Sequence, residues 1–336
     1  MIKEAINSLI QGENLSEENM VGVMNEIMEG KSTDAQIASF LTALRLKGET
    51  VEEITGAAKV MRKKVTRIKA PDLTVDTCGT GGDLSHTFNI STTTALVVAS
   101  CGVPVAKHGN RSVSSKSGSA DVLEALGVKI DLEPAKVEKC LESTGFGFMF
   151  APLFHPAMKY AIGPRKEMGI RTVFNILGPL TNPAGAERQV LGVFSDKLTE
   201  PLAKVLGNLG VKHAYVVHGE DGLDEITNTD KTKVSELKEG NVKTYFLGPE
   251  DFGFEKAMKE DLVGGDANEN ARTTITILEG KGGPKREITI MNSAAVLMTA
   301  DKASNLKEAV QMASETIESG AALKKLEEIR EVSNKL

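Results

Sequence analysis

The chain contains no tryptophan, and only 4% of its residues are aromatic. It has three cysteines, Cys78, Cys101 and Cys140, in 336 residues. An odd number without paired spacing excludes a full disulfide framework and a cysteine-based zinc site, and fits reduced thiols. Positive charge is not in excess either. The formal net charge is −6, whereas a general nucleic-acid binder needs a basic face. No run is apolar enough to span a bilayer. The longest uncharged stretch, Leu84 to Ala106 broken by His86, is full of Ser, Thr, Gly and Pro. The N-terminus, Met1-Ile-Lys-Glu-Ala5, lacks the basic-then-apolar layout of a leader. Internal repeats and low-complexity tracts are missing too. The expectation is a cytoplasmic protein that binds neither nucleic acid nor membrane. Its 40% hydrophobic content is enough for an ordinary globular core.

Residues 1–65 read as an all-helical domain. Ile2, Ala5, Ile6, Leu9 and Ile10 fall on one helical face. Ser16 is the expected cap of a second helix that stops at Gly30. Thr33-Asp-Ala-Gln36 and Thr50-Val-Glu-Glu53 have the spacing of capping boxes and open two more. Four short helices make a thin core, so this unit is expected to pack on the larger domain or on a second copy of itself. The basic run Arg62–Lys69 reads as a solvated crossing between domains.

Residues 66–336 alternate between strand and helix patterns. Strands are expected at 73–77, 102–107, 128–131, 146–150, 189–194, 213–218, 243–247 and 272–278, with helices such as Ser91–Ser100, Gly118–Leu126, Pro134–Thr144, Glu200–Leu209 and Ile288–Thr299 between many of them. That alternation predicts an α/β domain with a mostly parallel central sheet covered by helices. Segment 155–185, rich in Gly and Pro, interrupts it and is a candidate to fold back on the helical domain. Residues 303–336 read as two amphipathic helices.

Four stretches at strand ends can carry chemistry. The first is Thr77-Cys-Gly-Thr-Gly-Gly-Asp83, continued by Asn89-Ile-Ser-Thr92. Strand, glycine-rich turn and helix start together present backbone N–H groups to an anion. The turn is not a P-loop, and Leu84 stands where the dinucleotide fingerprint needs its last glycine. A tight turn alone is the bland alternative; Asp83, Ser91 and Thr92 add the oxygen groups that Mg²⁺ and pyrophosphate ligation require. Cys78 beside it reads as a packed small residue. The second is Val105-Ala-Lys-His-Gly-Asn-Arg111, where Lys107, His108, Asn110 and Arg111 bunch cations and donors around Gly109. Ser119, at the following helix start, is a further donor. The third holds His155 and the segment from Gly163 to Thr172, where Arg165 can clamp a carboxylate, with Gly178-Pro179 as a wall for a flat ring. The fourth is Gly222-Leu-Asp-Glu225, whose carboxylates Asp224 and Glu225 suit Mg²⁺, or else form an acidic surface turn.

Taken in order, Gly79–Asp83, Asn89–Thr92, Lys107–Arg111, Ser117–Asp121, His155–Ala157, Arg165–Thr172, Asn182-Pro183, Asp224-Glu225 and Gly264–Ala267 resemble the anthranilate phosphoribosyltransferase family over almost the whole chain. The resemblance implies a fold of the nucleoside phosphorylase type, a homodimer formed through the helical domains (with helices from about 160–185), and Mg²⁺ as cofactor. It implies transfer of phosphoribose from phosphoribosyl pyrophosphate to anthranilate, with anthranilate synthase as a candidate partner. By the same match, Gly79, Thr80, Gly81, Gly82, Asp83, Thr87, Asn89, Ile90, Ser91, Thr92, Lys107, His108, Gly109, Asn110 and Ser119 hold phosphoribosyl pyrophosphate. Gly79, Asn110, His155, Arg165 and Gly178 line the anthranilate route, and Ser91, Asp224 and Glu225 serve the metal. Two rivals stand beside this reading. A pyrimidine nucleoside phosphorylase would share the fold and use orthophosphate without a metal. A silent relative that binds nucleic acid would be basic and lack site residues.

Overall fold

The computed structural model describes residues 1–83, 85–112 and 116–336; Leu84, which breaks the dinucleotide fingerprint, lies outside them. Four helices open the chain: α1 (Ile2–Ile10), α2 (Glu17–Met28), α3 (Asp34–Lys47) and α4 (Val51–Lys64). Both expected capping boxes form. The Thr33 hydroxyl accepts the Gln36 N–H while the Gln36 side chain accepts the Thr33 N–H, and Thr50 with Glu53 repeats the exchange. Ser16 caps α2. Glu53 has a second task. Its buried carboxylate also accepts the Leu15 N–H at 2.9 Å and pairs with the Lys47 ammonium at 2.9 Å. One side chain thereby ties α4 to the α1–α2 connection and to the end of α3.

The chain continues through β1 (Val75–Gly79), α5 (Ile90–Ser100), β2 (Val105–Gly109), α6 (Ser119–Ala125), α7 (Pro134–Thr144), β3 (Phe146–Phe150), α8 (Ala151–Phe154), α9 (Lys159–Met168), α10 (Phe174–Leu177), β4 (Arg188–Gly192), α11 (Thr199–Asn208) and β5 (His213–Gly219). It ends with β6 (Thr232–Lys238), β7 (Asn241–Leu247), α12 (Ala267–Leu278), α13 (Gly283–Thr299), α14 (Leu306–Glu318) and α15 (Ala321–Lys335). The seven strands form one sheet in the order β3-β2-β1-β4-β5-β6-β7. The first five are parallel, and β6 and β7 join antiparallel. One face buries Val75, Val105, Val190 and Val217 against α5, α13, α14 and α15. The other buries Cys78, Leu191, Ala214 and Val216 in a core shared with α11, α10 and the four N-terminal helices. Helix α9 packs on α2 and α3.

Three expectations need correction. Residues 272–278 are helix, not strand: Asp266 and Glu269 form a capping box, and Asn270, Ala271, Thr274, Ile277 and Leu278 bury one helical face. The Thr/Ile run looks like a strand, but the cap and the 3.6-residue spacing outweigh β-propensity. Residues 128–131 bury Val128 and Ile130 in alternation yet join no strand; the Lys129 N–H donates to the Ser333 hydroxyl. Strand β6 was not expected at all. Arg62 also departs from the solvated-run reading. Its guanidinium is largely buried and donates to the carbonyls of Leu180 at 2.7 Å and Leu209 at 2.9 Å, and burial, then the charge of Arg67, pushes its pKa down to about 10.

Strand order reverses between β1 and β4, since the chain steps outward to β2 and β3 on one side and to β5 on the other. Ligands of open α/β sheets bind at such a switch point, beyond the carboxyl ends of the strands. Gly79, Gly109, Gly192 and Gly219 end β1, β2, β4 and β5 there.

Candidate active site

The glycine-rich turn is tied down on several sides. The Thr80 N–H donates to the Gly192 carbonyl at 2.9 Å, and the Phe194 N–H donates to the Thr80 hydroxyl at 3.1 Å. The Gly81 N–H donates to Oδ2 of Asp224 at 2.7 Å. The Arg171 guanidinium, 4.4 Å above the Phe194 ring, donates to the Gly82 carbonyl. Two glycines make room for the 224 segment. A Cβ on Gly79 would stand 2.5 Å from the Asp224 carboxylate, and one on Gly192 would stand 1.5 Å from its carbonyl oxygen.

The start of α5 forms the second wall. The Ser91 N–H donates to Oε1 of Glu225 at 3.0 Å. Lys107 is buried and reaches across from β2, donating to the Thr77 carbonyl at 2.6 Å and the Ser91 hydroxyl at 3.3 Å. The Asn89 side chain donates to the Ser117 carbonyl and accepts from Asn270 at 2.9 Å. Thr87 bridges to Val263. Thr92 is buried. Ile90 points away, into a cluster with Phe88, Leu223, Leu262, Ile277 and Ile288, and its N–H is taken by the Phe88 carbonyl.

Two buried carboxylates, Asp224 and Glu225, lie side by side here, with Asp83 near enough to act on them through its charge. Burial, then the charges of Asp83 and Glu225, pushes Asp224 well above the usual carboxylate range. Burial pushes Glu225 up to about 7, with Asp83 adding and Lys107 and the Ser91 N–H opposing. Burial thus makes both carboxyls reluctant to ionise, and a cation placed between them would favour their charged forms. A hard dication suits these oxygen donors. Among the described residues no group of three or more metal-ligating His, Cys, Asp or Glu is gathered. The protein would therefore lend few ligands and leave the rest to water and phosphate, which is how Mg²⁺ binds.

A second group lies beyond β2. Nε2 of His155 and Nε2 of His108 are 3.1 Å apart. Burial pushes His108 down to about 3, with the adjacent His155 adding and the Gly178 carbonyl opposing. Burial pushes His155 down to about 4. The Ser119 hydroxyl donates to the carbonyl of exposed Asn110 at 3.3 Å. A Cβ on Gly109 would meet Ser119. Arg111 does not join the cations expected here. Its guanidinium pairs with Asp121 at 2.8 Å and Glu124 at 2.9 Å and rests near the Phe150 ring. With His108 neutral, Lys107 carries the positive charge of this stretch. Arg165 lies on the Phe174 ring at 5.1 Å, is depressed by burial alone, and has no carboxylate partner among the described residues. Cys78 is a buried thiol raised by burial, as a packed residue should be.

Four contributors escaped the sequence reading: Asp76, Arg171, Gly192 and Asn270. Asp76 is fully buried in β1 and accepts from Asn182 at 2.7 Å, while Asn182 also donates to the Ala106 carbonyl. A carboxylate in an otherwise buried strand was the available signal.

A helical bundle set beside an α/β sheet with an anion cradle at its switch point defines a two-domain glycosyl transferase. The family model described as "Glycosyl transferase family, helical bundle domain" matches residues 3–65, and that described as "Glycosyl transferase family, a/b domain" matches 71–323. Within that class, the chain belongs to the anthranilate phosphoribosyltransferases. It is 59% identical over 335 residues to the anthranilate phosphoribosyltransferase of Acetivibrio thermocellus, covering 99% of this chain and 97% of the relative. It is 55% identical over 338 residues to that of Alkaliphilus metalliredigens, covering 100% and 99%. The crystal structure of the Thermus thermophilus enzyme superposes with a TM-score of 0.93 at 43% identity, covering 98% of this chain and 99% of that one. The Saccharomyces cerevisiae enzyme in complex with phosphoribosyl pyrophosphate and Mg gives 0.92 at 30% identity, covering 100% and 98%. Among the described residues no helix is long and apolar enough to cross a membrane.

Proposed function

We propose that the chain transfers the phosphoribosyl group of 5-phosphoribosyl 1-pyrophosphate to the amine of anthranilate. The products are N-(5-phosphoribosyl)anthranilate and pyrophosphate, a step of tryptophan biosynthesis carried out in the cytoplasm. The supporting observation is Arg165. A half-buried guanidinium without a carboxylate partner among the described residues, held over Phe174, suits a planar aromatic acid, whose carboxylate it can take in two-pronged fashion.

In this reading Gly79–Asp83, Thr87, Asn89–Thr92, Lys107–Asn110 and Ser119 hold phosphoribosyl pyrophosphate. Ile90 contributes shape from the core rather than a side-chain contact. Gly79, Asn110, His155, Arg165 and Gly178 line the anthranilate route. Ser91, Asp224 and Glu225 would hold Mg²⁺, which when bound supplies positive charge to the leaving pyrophosphate. As the C1–O bond to pyrophosphate breaks, its electron pair leaves with the diphosphate and C1 becomes oxocarbenium-like. Fixed donors, Lys107 among them, face that developing charge without reorganisation. The amine nitrogen then bonds C1 and loses a proton. Placing the amine beneath C1 supplies much of the acceleration, so no covalent ribosyl-enzyme forms.

Residues 1–65 act as the helical domain and 66–336 as the transfer domain. The helical domains, with α9, pair two copies into a homodimer, and anthranilate synthase is the candidate partner. The test is mass spectrometry of a mixture of chain, anthranilate, phosphoribosyl pyrophosphate and Mg²⁺. The expected result is N-(5-phosphoribosyl)anthranilate with no modified protein. A trapped ribosyl adduct on the chain would contradict the direct displacement.

A further inference from the structure

An asparagine at the N-cap of a helix ordinarily turns its side-chain oxygen onto the N–H of the second or third helical residue. Asn89 holds the N-cap position of α5, yet its side chain caps nothing. It is engaged elsewhere. Its amide NH2 donates to the Ser117 carbonyl at 3.2 Å, and its oxygen accepts from the Asn270 amide at 2.9 Å. Asn270 in turn accepts the Gly265 N–H at 2.8 Å. A backbone N–H can only donate and a carbonyl can only accept, so the two ends of this relay fix the orientation of both amides. The atom that Asn270 engages is therefore the oxygen that a cap would use. One turn further on, the Thr93 and Thr274 hydroxyls meet at 3.0 Å and tie α5 to α12.

The consequence lies in the first turn of α5. With Asn89 diverted, the N–H of buried Thr92 meets no acceptor among the described residues. An orphaned buried donor is costly unless a ligand comes to fill it, and a helix N-terminus favours an anion there. We infer that Asn270 is a positioning residue of the phosphate site: it holds the Asn89 amide off the helix that Asn89 precedes, and so keeps the Thr92 N–H open to a phosphate oxygen. The inference rests on the proposed phosphoribosyl transfer and deepens it. Helix propensity does not account for Asn270, which is buried near the start of α12, where an alanine would suit the helix better. Without its amide, the Asn89 side chain would fall back on α5 as an ordinary cap. The helix would gain a hydrogen bond and the phosphate would lose one. A merely structural Asn270 would act through Gly265 and the fold, whatever residue stood at 89.

The test is calorimetric titration of phosphoribosyl pyrophosphate, with Mg²⁺, into the full chain. Wild type, Asn270→Ala, Asn89→Ala and the double variant are compared, with the melting temperature and the KM for anthranilate measured alongside. Asn270→Ala is expected to weaken phosphoribosyl pyrophosphate binding by about tenfold or more, the worth of one hydrogen bond to a charged group, with the KM for anthranilate little changed. In the Asn89→Ala background, where no cap can form, the same substitution should change the affinity by less than about twofold. Should Asn270→Ala not fold, Asn270→Asp is carried through the same cycle. It keeps the shape and the acceptor for the Gly265 N–H but loses the donor toward Asn89, and the Asn89→Ala background separates that loss from the added charge. Unchanged affinity in the Asn270 variants, or a loss of the same size with Asn89 replaced, would overturn the inference and leave the transfer reaction standing. Failure of wild type to bind phosphoribosyl pyrophosphate with Mg²⁺ would overturn both.

Discussion

Nε2 of His155 faces Nε2 of His108 at 3.1 Å, with the ring centroids 4.9 Å apart. One ring must donate and the other accept, so the pair holds one proton between the two nitrogens. The Gly178 backbone acts on His108 in the opposite direction to burial, favouring a proton on that ring.

That pair sets a pH dependence of stability. Burial pushes His155 down to about 4 and His108 to about 3, against about 6.5 in the unfolded chain. Between those values the unfolded state binds protons that the folded state refuses. The pair's contribution is therefore present above pH about 6.5 and is lost as pH falls towards 4, at about 1.4 kcal/mol per pH unit for each ring. Raised carboxylates elsewhere act with the opposite sign, so the comparison must be with a variant. Urea unfolding from pH 7.5 to 5 should show a shallower acid loss in His155→Gln than in wild type. Equal slopes would show that the rings titrate normally.

Arg165→Ala should raise the KM for anthranilate by about two orders of magnitude, because it removes a charge-assisted, two-pronged contact. The KM for phosphoribosyl pyrophosphate should stay within a few-fold of wild type. Steady-state kinetics varying each substrate in turn decides it. A collapse of the phosphoribosyl pyrophosphate term instead would move Arg165 to the other pocket.

Glu53→Ala should destabilise the chain by about 3–5 kcal/mol in urea unfolding. Among the described residues it removes the only carboxylate paired with the Lys47 ammonium, 6% exposed, which keeps only the Asn14 side-chain oxygen and the Gly48 carbonyl, and it leaves the Leu15 and Thr50 N–H groups without their acceptor. A loss below about 1 kcal/mol would show that the pair is not worth its desolvation.

Much of this was legible from local chemistry. Thr33 and Thr50 announced their helices because a capping box is a four-residue signal, and the strand-end loops announced the site because glycine, hydroxyl and carboxylate side by side have few structural uses. What stayed hidden depends on distant partners. Arg62 reads like its solvated neighbours until the Leu180 and Leu209 carbonyls come to meet it. Arg111 reads as a phosphate ligand until α6 supplies Asp121 and Glu124. Residues 272–278 carry a strand's composition, and only the Asp266–Glu269 cap reveals a helix. The β6–β7 hairpin turns on Glu239 and Gly240, both with positive φ, a pairing that a flanking Lys/Glu-rich sequence masks.

Asp224→Asn combined with Glu225→Gln should shift the Mg²⁺ dependence of turnover to higher concentration by about tenfold or more, since two of the few protein ligands lose their charge. Initial rates against free Mg²⁺ at saturating substrates measure it. An unchanged Mg²⁺ profile would reduce the pair to a buried acidic turn.

The central claim is the ribosyl transfer, and anthranilate fluorescence tests it most directly. Mixing the chain with anthranilate, phosphoribosyl pyrophosphate and Mg²⁺ should extinguish the fluorescence, and omission of either phosphoribosyl pyrophosphate or Mg²⁺ should preserve it. Undiminished fluorescence in the complete mixture, with phosphorolysis of thymidine or uridine by orthophosphate in the absence of Mg²⁺, would contradict the account.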